Sequence, residues 1–415
     1  MSDCDVAVIG GGVIGVAAAR ALAERGARVV LLERGEVCSG ASYGNAGWIS
    51  PSHGTPLPAP GVVRQALRWL FDPESPFYVK PRPSLELARW LLGFLRAATA
   101  ERAAETMRLN RELIVASLRE YEKLGAELDD DFGFAQRGLV VACESDAGLA
   151  KARHELESLE RLGGEGRLLS AAELRAALPA AAPSLRGGVR FPEDAHLDPE
   201  RLVHALARRA GALGARIETG QEVLALERAG RRITRIVATR GDFRPDQVVL
   251  AAGAWSPVVA AGLGLRLPVQ AAKGYSVTVR AEPELGADPV LLFEAKVAVT
   301  PLGDRLRFAG TLELAGLDLA VNARRVGAIL RAVERFLPGV GRAARIETWR
   351  GLRPLCPDDR PILGRPRALE NLVIATGHGM SGISQAPMTA RLVAELCLGE
   401  APSLPLAPFS PDRFA

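Results

Sequence analysis

The chain is poor in the features that would place it outside an ordinary intracellular fold. Its cysteines, Cys4, Cys38, Cys143, Cys356 and Cys397, are odd in number and scattered, and none stands in a C-x-x-C pair. That spacing argues against a disulfide framework or a zinc site, and no metal is expected. No run approaches the roughly 20 apolar residues needed to span a bilayer. The chain opens on an acidic residue and a short apolar run, without the basic region, apolar core and cleavage site of a secretory signal, so a cytoplasmic location is the expectation. Aromatic residues make up only 5%. A net charge of +4, with the basic residues dispersed, lacks the concentrated footprint of a nucleic-acid binder. With 415 residues, 48% hydrophobic and 24% charged, the chain has core for two or three domains.

What is present begins at Asp5. Val6 to Ile9 is a short, β-branched run suited to a strand buried on both faces of a parallel sheet. Gly10, Gly12 and Gly15 follow in G-x-G-x-x-G spacing, a helix is predicted from about Val13 to Arg25, and Gly26 is a left-handed cap. The open N-terminus of that helix, at Gly12, Val13 and Ile14, favours a phosphate without a lysine. A second strand, Arg28 to Leu32, ends at Glu33, 21 positions after Gly12, where an acid accepts from ribose hydroxyls and repels a 2′-phosphate. This is a dinucleotide-binding βαβ unit, and by itself it fits NAD or FAD equally.

The small-residue stretch from Cys38 to Ser50 can lay backbone N–H groups along a ligand. His53 either faces an active site or bonds a loop, with the bland reading preferred. Val62 to Phe71 and Leu85 to Ala98 are amphipathic helices, separated by Asp72 to Pro83, whose apolar stripes read as core or, beside their arginines, as an in-plane membrane contact. Further helices are predicted over Ala100 to Leu124, Asp146 to Leu162 and, behind Asp198 as N-cap with Pro199 in first position, to Leu213. Strands are predicted at Gly138 to Ala142, Arg216 to Glu218, Glu222 to Glu227 and Val248 to Ala252. Lys273 to Val279, Ala298 to Thr300 and Leu306 to Glu313 alternate as half-buried antiparallel strands, with a turn at Leu302 to Asp304.

Taken with the glycine turn and Glu33, the segments Gly40-Ala41-Ser42 and Asn45-Ala46-Gly47 resemble the D-amino-acid oxidase family of flavoproteins. So do Gly253-Ala254-Trp255-Ser256, Gly351-Leu352-Arg353-Pro354, Pro357 to Gly364 and Thr376 to Gly382, the last three being most similar to the bacterial D-amino-acid dehydrogenase branch. The resemblance spans nearly the whole chain and is thinnest between Ala100 and Gly187. It implies an α/β fold in which a Rossmann-type FAD-binding domain (1–50, 195–262, 346–415) carries a discontinuous α+β substrate domain (51–194, 263–345) built on an antiparallel sheet. It implies non-covalent FAD, held by Gly10, Gly12, Val13, Ile14, Gly15, Glu33 and Arg34. Ala41, Ser42, Asn45, Ala46, Gly47, Trp48 and Ile49 are implied beside them, then Val223, Ala252, Gly253 and Trp255, then Gly377, His378, Gly379, Met380, Ser381 and Gly382.

In the family the arginine matching Arg353 pairs with the substrate carboxylate, and a guanidinium fork suits that bidentate task. Arg350, three positions away on a strand, should point to the opposite face. Tyr275, Lys296, Glu294 and His378 are weaker candidates for the substrate wall or the chemistry. The resemblance implies oxidative deamination of D-amino acids to 2-oxo acids and ammonia by hydride transfer to flavin N5, with electrons passed to quinone or another acceptor. Alternatives are an oxygen-using D-amino-acid, glycine, sarcosine or proline-type oxidase, an electron-relay subunit of a larger complex, or an NAD-dependent dehydrogenase. The last leaves the two later glycine blocks unexplained.

Overall fold

The computed structural model describes residues 3–53, 55–62, 75–128, 132–281 and 288–414. The predicted helix Val62 to Phe71 therefore lies almost wholly outside the described residues.

The apolar run at the N-terminus becomes the strand Cys4–Ile9, buried along nearly its whole length, because it sits inside a six-stranded sheet. Parallel neighbours Val29–Leu32 and Pro245–Leu250 lie on either side of it. Arg216–Glu218 extends the sheet beyond the first, and Leu372–Thr376 then antiparallel Ile362–Gly364 beyond the second. Chain order thus reverses around Cys4–Ile9, and the crevice outside the carboxyl ends of such strands is where an α/β sheet binds its ligand. The helices Val13–Glu24, Pro199–Ala212 and Gly382–Leu398 pack together on one face, with the long helix Ala100–Glu127 behind them. Pro387 lies inside Gly382–Leu398 and has no N–H to offer the carbonyl four residues back. The Tyr121 hydroxyl donates to that Ile383 carbonyl at 2.6 Å instead.

The second sheet runs in the order Arg345–Leu355, Gln270–Arg280, Arg305–Leu314, Val297–Leu302, Val290–Leu292, Leu139–Cys143, Gly187–Phe191, Arg167–Ser170, with Phe77–Val79 added beside Arg305–Leu314. Its pairings are antiparallel except for Val290–Leu292 on Leu139–Cys143 and Phe77–Val79 on Arg305–Leu314. Arg345–Leu355 pairs along Gln270–Arg280 from Gln270↔Leu355 to Val279↔Arg345, so the chain returns to the first sheet after Leu355 rather than at residue 346.

The strands expected to be half-buried are instead buried on both faces. On one face Tyr275, Val277, Phe308 and Leu306 pack under the helix Ala323–Phe336, capped by Asn322, which the alternation alone does not reveal. On the other, Thr278 and Arg307 are buried against the loop at Tyr43 to Trp48. A polar face is thus enclosed, and what it encloses is the site.

Candidate functional site

At the carboxyl end of Cys4–Ile9 the backbone turns at Gly10 with φ +115, and a Cβ there would stand 2.5 Å from the Ala251 carbonyl oxygen. At Gly15 a Cβ would meet the Gly10 carbonyl at 1.9 Å, so the helix packs this closely only with glycine. Gly12 is the N-cap and offers no side chain, while the Val13 N–H donates to Ser42 Oγ at 3.0 Å. Glu33 closes the other side: Oε2 accepts from the Gly11 N–H at 2.6 Å and Oε1 from the Gly35 N–H at 2.9 Å. The Arg34 guanidinium lies over the Trp255 ring at 3.9 Å, just beyond Ala252 and Gly253. Val223 pairs with Ala238 in a separate three-stranded sheet.

The loop from Ala41 to Ile49 is pinned from three sides. Asn45 Oδ1 accepts from the Gly47 N–H, Trp48 Nε1 donates to Thr300 Oγ1, and Ser384 Oγ donates to the Trp48 carbonyl, each at 2.8 Å. Arg307, 1% exposed, donates from Nη1 to the Tyr43 and Asn45 carbonyls at 2.8 and 3.0 Å. Sequence reasoning missed Arg307; the signal was an arginine set between Leu306 and Phe308 on a strand that is buried along most of its length.

The Gly377 to Gly382 loop meets the second sheet directly, through the Gly379 N–H on the Pro354 carbonyl at 2.9 Å and a bridge between Leu355 and His378. It opens the helix Gly382–Leu398, whose N-cap Ser381 makes no side-chain cap. Met380 is exposed at its tip.

Arg353 stands beside this loop. Its register partner is Ala272, and its guanidinium lies over Gly274, where a Cβ would be 2.2 Å from Nη1. Nη1 donates to the Thr311 carbonyl at 2.7 Å. Thr311 has φ +66, at the bulge between the Lys273 and Tyr275 registers, and that bulge turns the carbonyl toward Arg353. Among the described residues no carboxylate pairs with this guanidinium, and burial alone pulls its pKa down to about 10. An enclosed, unpaired cation is what an anionic ligand completes.

The other candidates fall in different places. Tyr275 lies on the opposite face from Arg353, its hydroxyl donating to Glu313 at 2.9 Å and accepting from the Asn322 N–H. Arg350 shares that face, aligned with Tyr275, and donates to the Leu319 carbonyl. His378 is buried, with Nε2 3.1 Å from Thr389 Oγ1, and burial pushes its pKa down to about 3. Glu294 caps the helix Asp146–Glu160 by accepting from the N–H groups of Glu144 and Ser145. Lys296 is exposed, in the turn before Val297–Leu302, with its ammonium over the Phe293 ring at 3.9 Å. His53 is exposed, its ring edge-on to Trp48 at 6.4 Å.

Comparison with known proteins bears on this arrangement. The family model described as DAO, FAD dependent oxidoreductase, matches residues 5–396. The chain belongs to that family. It is 34% identical over 425 residues to the D-amino acid dehydrogenase of Chromohalobacter salexigens, covering 99% of each chain. It is 35% identical over 424 residues to that of Cereibacter sphaeroides, covering 99% of this chain and 95% of the other. Among solved structures it is similar to glycine oxidase from Geobacillus kaustophilus, with a TM-score of 0.79, 26% identity and coverage of 99% and 98%.

The cofactor of this family is FAD, and the residues fit it. Two helix N-termini whose own N-cap residues make no side-chain cap, at Gly12 and Ser381, follow the parallel strands Cys4–Ile9 and Leu372–Thr376 and so open at the same edge of the sheet as Gly10 and the Glu33 carboxylate. Gly12 would admit a Cβ without clash inside the protein, the nearest atom being Ser42 Oγ at 3.4 Å, so its space is left for a ligand.

Proposed function

We propose that this chain is an FAD-dependent D-amino-acid dehydrogenase, with Arg353 as the residue that holds the substrate carboxylate. The observation that supports the reading is the enclosed Arg353 guanidinium, unpaired by any carboxylate among the described residues and lying across Gly274 to the Thr311 carbonyl. A pure electron-relay subunit has no use for such a clamp. When bound, FAD supplies the two-electron acceptor for the hydride leaving the substrate's Cα. The protein's part is positional. Arg353 fixes the carboxylate as a fork, Thr311 fixes Arg353, and the enclosed cleft limits water. The cation beside the substrate favours loss of its ammonium proton, so the neutral amine is the reacting form. The imine released hydrolyses to a 2-oxo acid and ammonia.

In this proposal Glu33, Ser42, Gly12 and the two helix N-termini hold the dinucleotide, and Val223, Ala252, Gly253 and Trp255 border its adenine end. Attachment is non-covalent: Cys38, the thiol nearest the glycine turn, is buried with its pKa pushed up to about 12. Electrons pass to a quinone at a membrane surface. The helix Leu85–Ala97 turns Leu87 and Trp90 inward, Trp90 donating to the Leu355 carbonyl at 3.0 Å, and leaves Leu85, Leu92 and Leu95 exposed beside Arg89 and Arg96. That second apolar stripe, next to the strand carrying Arg353, suits the headgroup boundary. Among the described residues no helix is long and apolar enough to cross a membrane.

The test is product formation from D-amino acids with a quinone analogue, alongside peroxide formation in air. One equivalent of 2-oxo acid and ammonia per quinone reduced, without peroxide, is the expected result. Peroxide at the same rate would make the chain an oxidase, and no product from any amino acid would remove the reading.

A further inference from the structure

A second unpaired cation lies on the same side of the sheet as Arg353. Thr300, two residues beyond Ala298, has Arg307 as its register partner and bonds Trp48. Ala298 pairs with Ala309, and Lys296 lies in the turn that leads into this strand, at the end of the sheet where Thr311 holds Arg353. Arg353 and Lys296 are therefore three strands apart near one end of the sheet, on the order of 15 Å between Cα atoms at about 4.8 Å per strand. Two long side chains leaning over the cleft can close that gap around a small ligand.

Lys296 has the marks of a residue kept for a ligand. Its backbone has φ +53, a left-handed conformation that a lysine adopts at a cost. Its ammonium rests on the Phe293 ring at 3.9 Å, and no ion pair or hydrogen bond holds it among the described residues. The nearby acids do not neutralise it by contact. Glu294 is committed to the backbone of Glu144 and Ser145, and Glu155 acts only at longer range, against Lys151. His53 lies near the lysine: its ring meets Trp48 edge-on at 6.4 Å, feels the Lys296 charge, and has no bond to a described residue through either ring nitrogen. A neutral imidazole can donate to an anion held by the ammonium.

We propose that Lys296, with His53 beside it, receives a carboxylate at the end of the substrate's side chain, so that this site prefers acidic D-amino acids. The inference rests on the reading that Arg353 holds the α-carboxylate, and it assigns the opposite wall of the same cleft.

The test uses the FAD-loaded protein and two unreactive acids, glutarate with a carboxylate at each end and butyrate with one, measured by titration calorimetry. Wild type should bind glutarate at least about tenfold more tightly than butyrate, a difference of about 1.4 kcal/mol. Lys296→Met should reduce that advantage to within about threefold, Lys296→Arg should keep it, and the ratio of kcat/KM for D-glutamate over D-alanine should fall in parallel. Melting temperature and flavin content verify that each variant is folded. Equal binding of the two acids by wild type, or an undiminished preference in Lys296→Met, overturns the inference while leaving Arg353 in place. If neither acid binds and D-alanine fails to reduce the flavin, the reading beneath it falls as well.

Discussion

Replacing Arg353 by methionine separates a binding residue from a structural one, because the two roles predict opposite effects on stability. Among the described residues the guanidinium makes one hydrogen bond, to Thr311, and burial without a compensating carboxylate lowers its pKa to about 10. An apolar chain of similar length relieves that desolvation, so the melting temperature should hold or rise. Catalysis should suffer instead. A substrate carboxylate left unpaired in an enclosed site costs about 3–5 kcal/mol, or roughly two to three and a half decades in kcat/KM. Arg353→Lys keeps the charge but loses the fork, and should cost about 1.5–3 kcal/mol. Gly274→Ala gives an independent arm, since its Cβ would fall 2.2 Å from Nη1 and 2.3 Å from Cζ, displacing the guanidinium while keeping the cation. Steady-state kinetics with D-alanine, flavin content and thermal melts read all three. An Arg353→Met enzyme with kcat/KM within about threefold of wild type, or one that melts several degrees lower and loses its flavin, would refute the assignment.

Gly12→Ala places its Cβ 3.4 Å from Ser42 Oγ, so the apoprotein should fold and melt normally while FAD affinity drops at least about tenfold, as read by flavin retention on dilution. Arg307→Met removes two hydrogen bonds to the Tyr43 and Asn45 carbonyls, and should cost about 2–4 kcal/mol in stability by denaturant titration, with loss of FAD. Asp194, bonded to Ser52, is raised by burial to about 7 from 3.8. The folded state therefore binds the extra proton between those values, and stability contributed by the neutral form is lost as pH rises through 7. Asp194→Asn should thus gain on wild type between pH 5 and about 7, by at most about 3 kcal/mol, and hold that gain up to pH 9 in melts across the range. Leu92→Glu with Leu95→Glu should abolish co-sedimentation with anionic vesicles while leaving dye-linked turnover intact; unchanged binding would remove the membrane contact.

The first sheet was legible because each of its signals is local. An apolar run, three spaced glycines, a helix stopped by glycine and an acid after the next strand are all close in sequence, and the helix forms at Val13–Glu24 with Gly26 at φ +82. The long-range polar contacts were not legible. Arg307 to Asn45 and Thr300 to Trp48 each join residues about 250 positions apart, and nothing near either partner signals the other. The same holds for Thr311, whose bulge follows from the pairing of two strands rather than from threonine itself. Tyr275 shows the limit of alternation: the pattern identifies a strand with two faces, but the neighbouring strands decide which one looks into the cleft. The opposition of Arg350 and Arg353 needed only strand periodicity and is seen in the register.

The most direct measurement is anaerobic mixing of the FAD-loaded protein with D-alanine and, separately, L-alanine, following the flavin absorbance by stopped flow. The account predicts full bleaching by the D enantiomer alone, and slowing of that phase in Gly274→Ala. Bleaching by neither enantiomer nor by any other D-amino acid, in a protein that holds FAD, would contradict it.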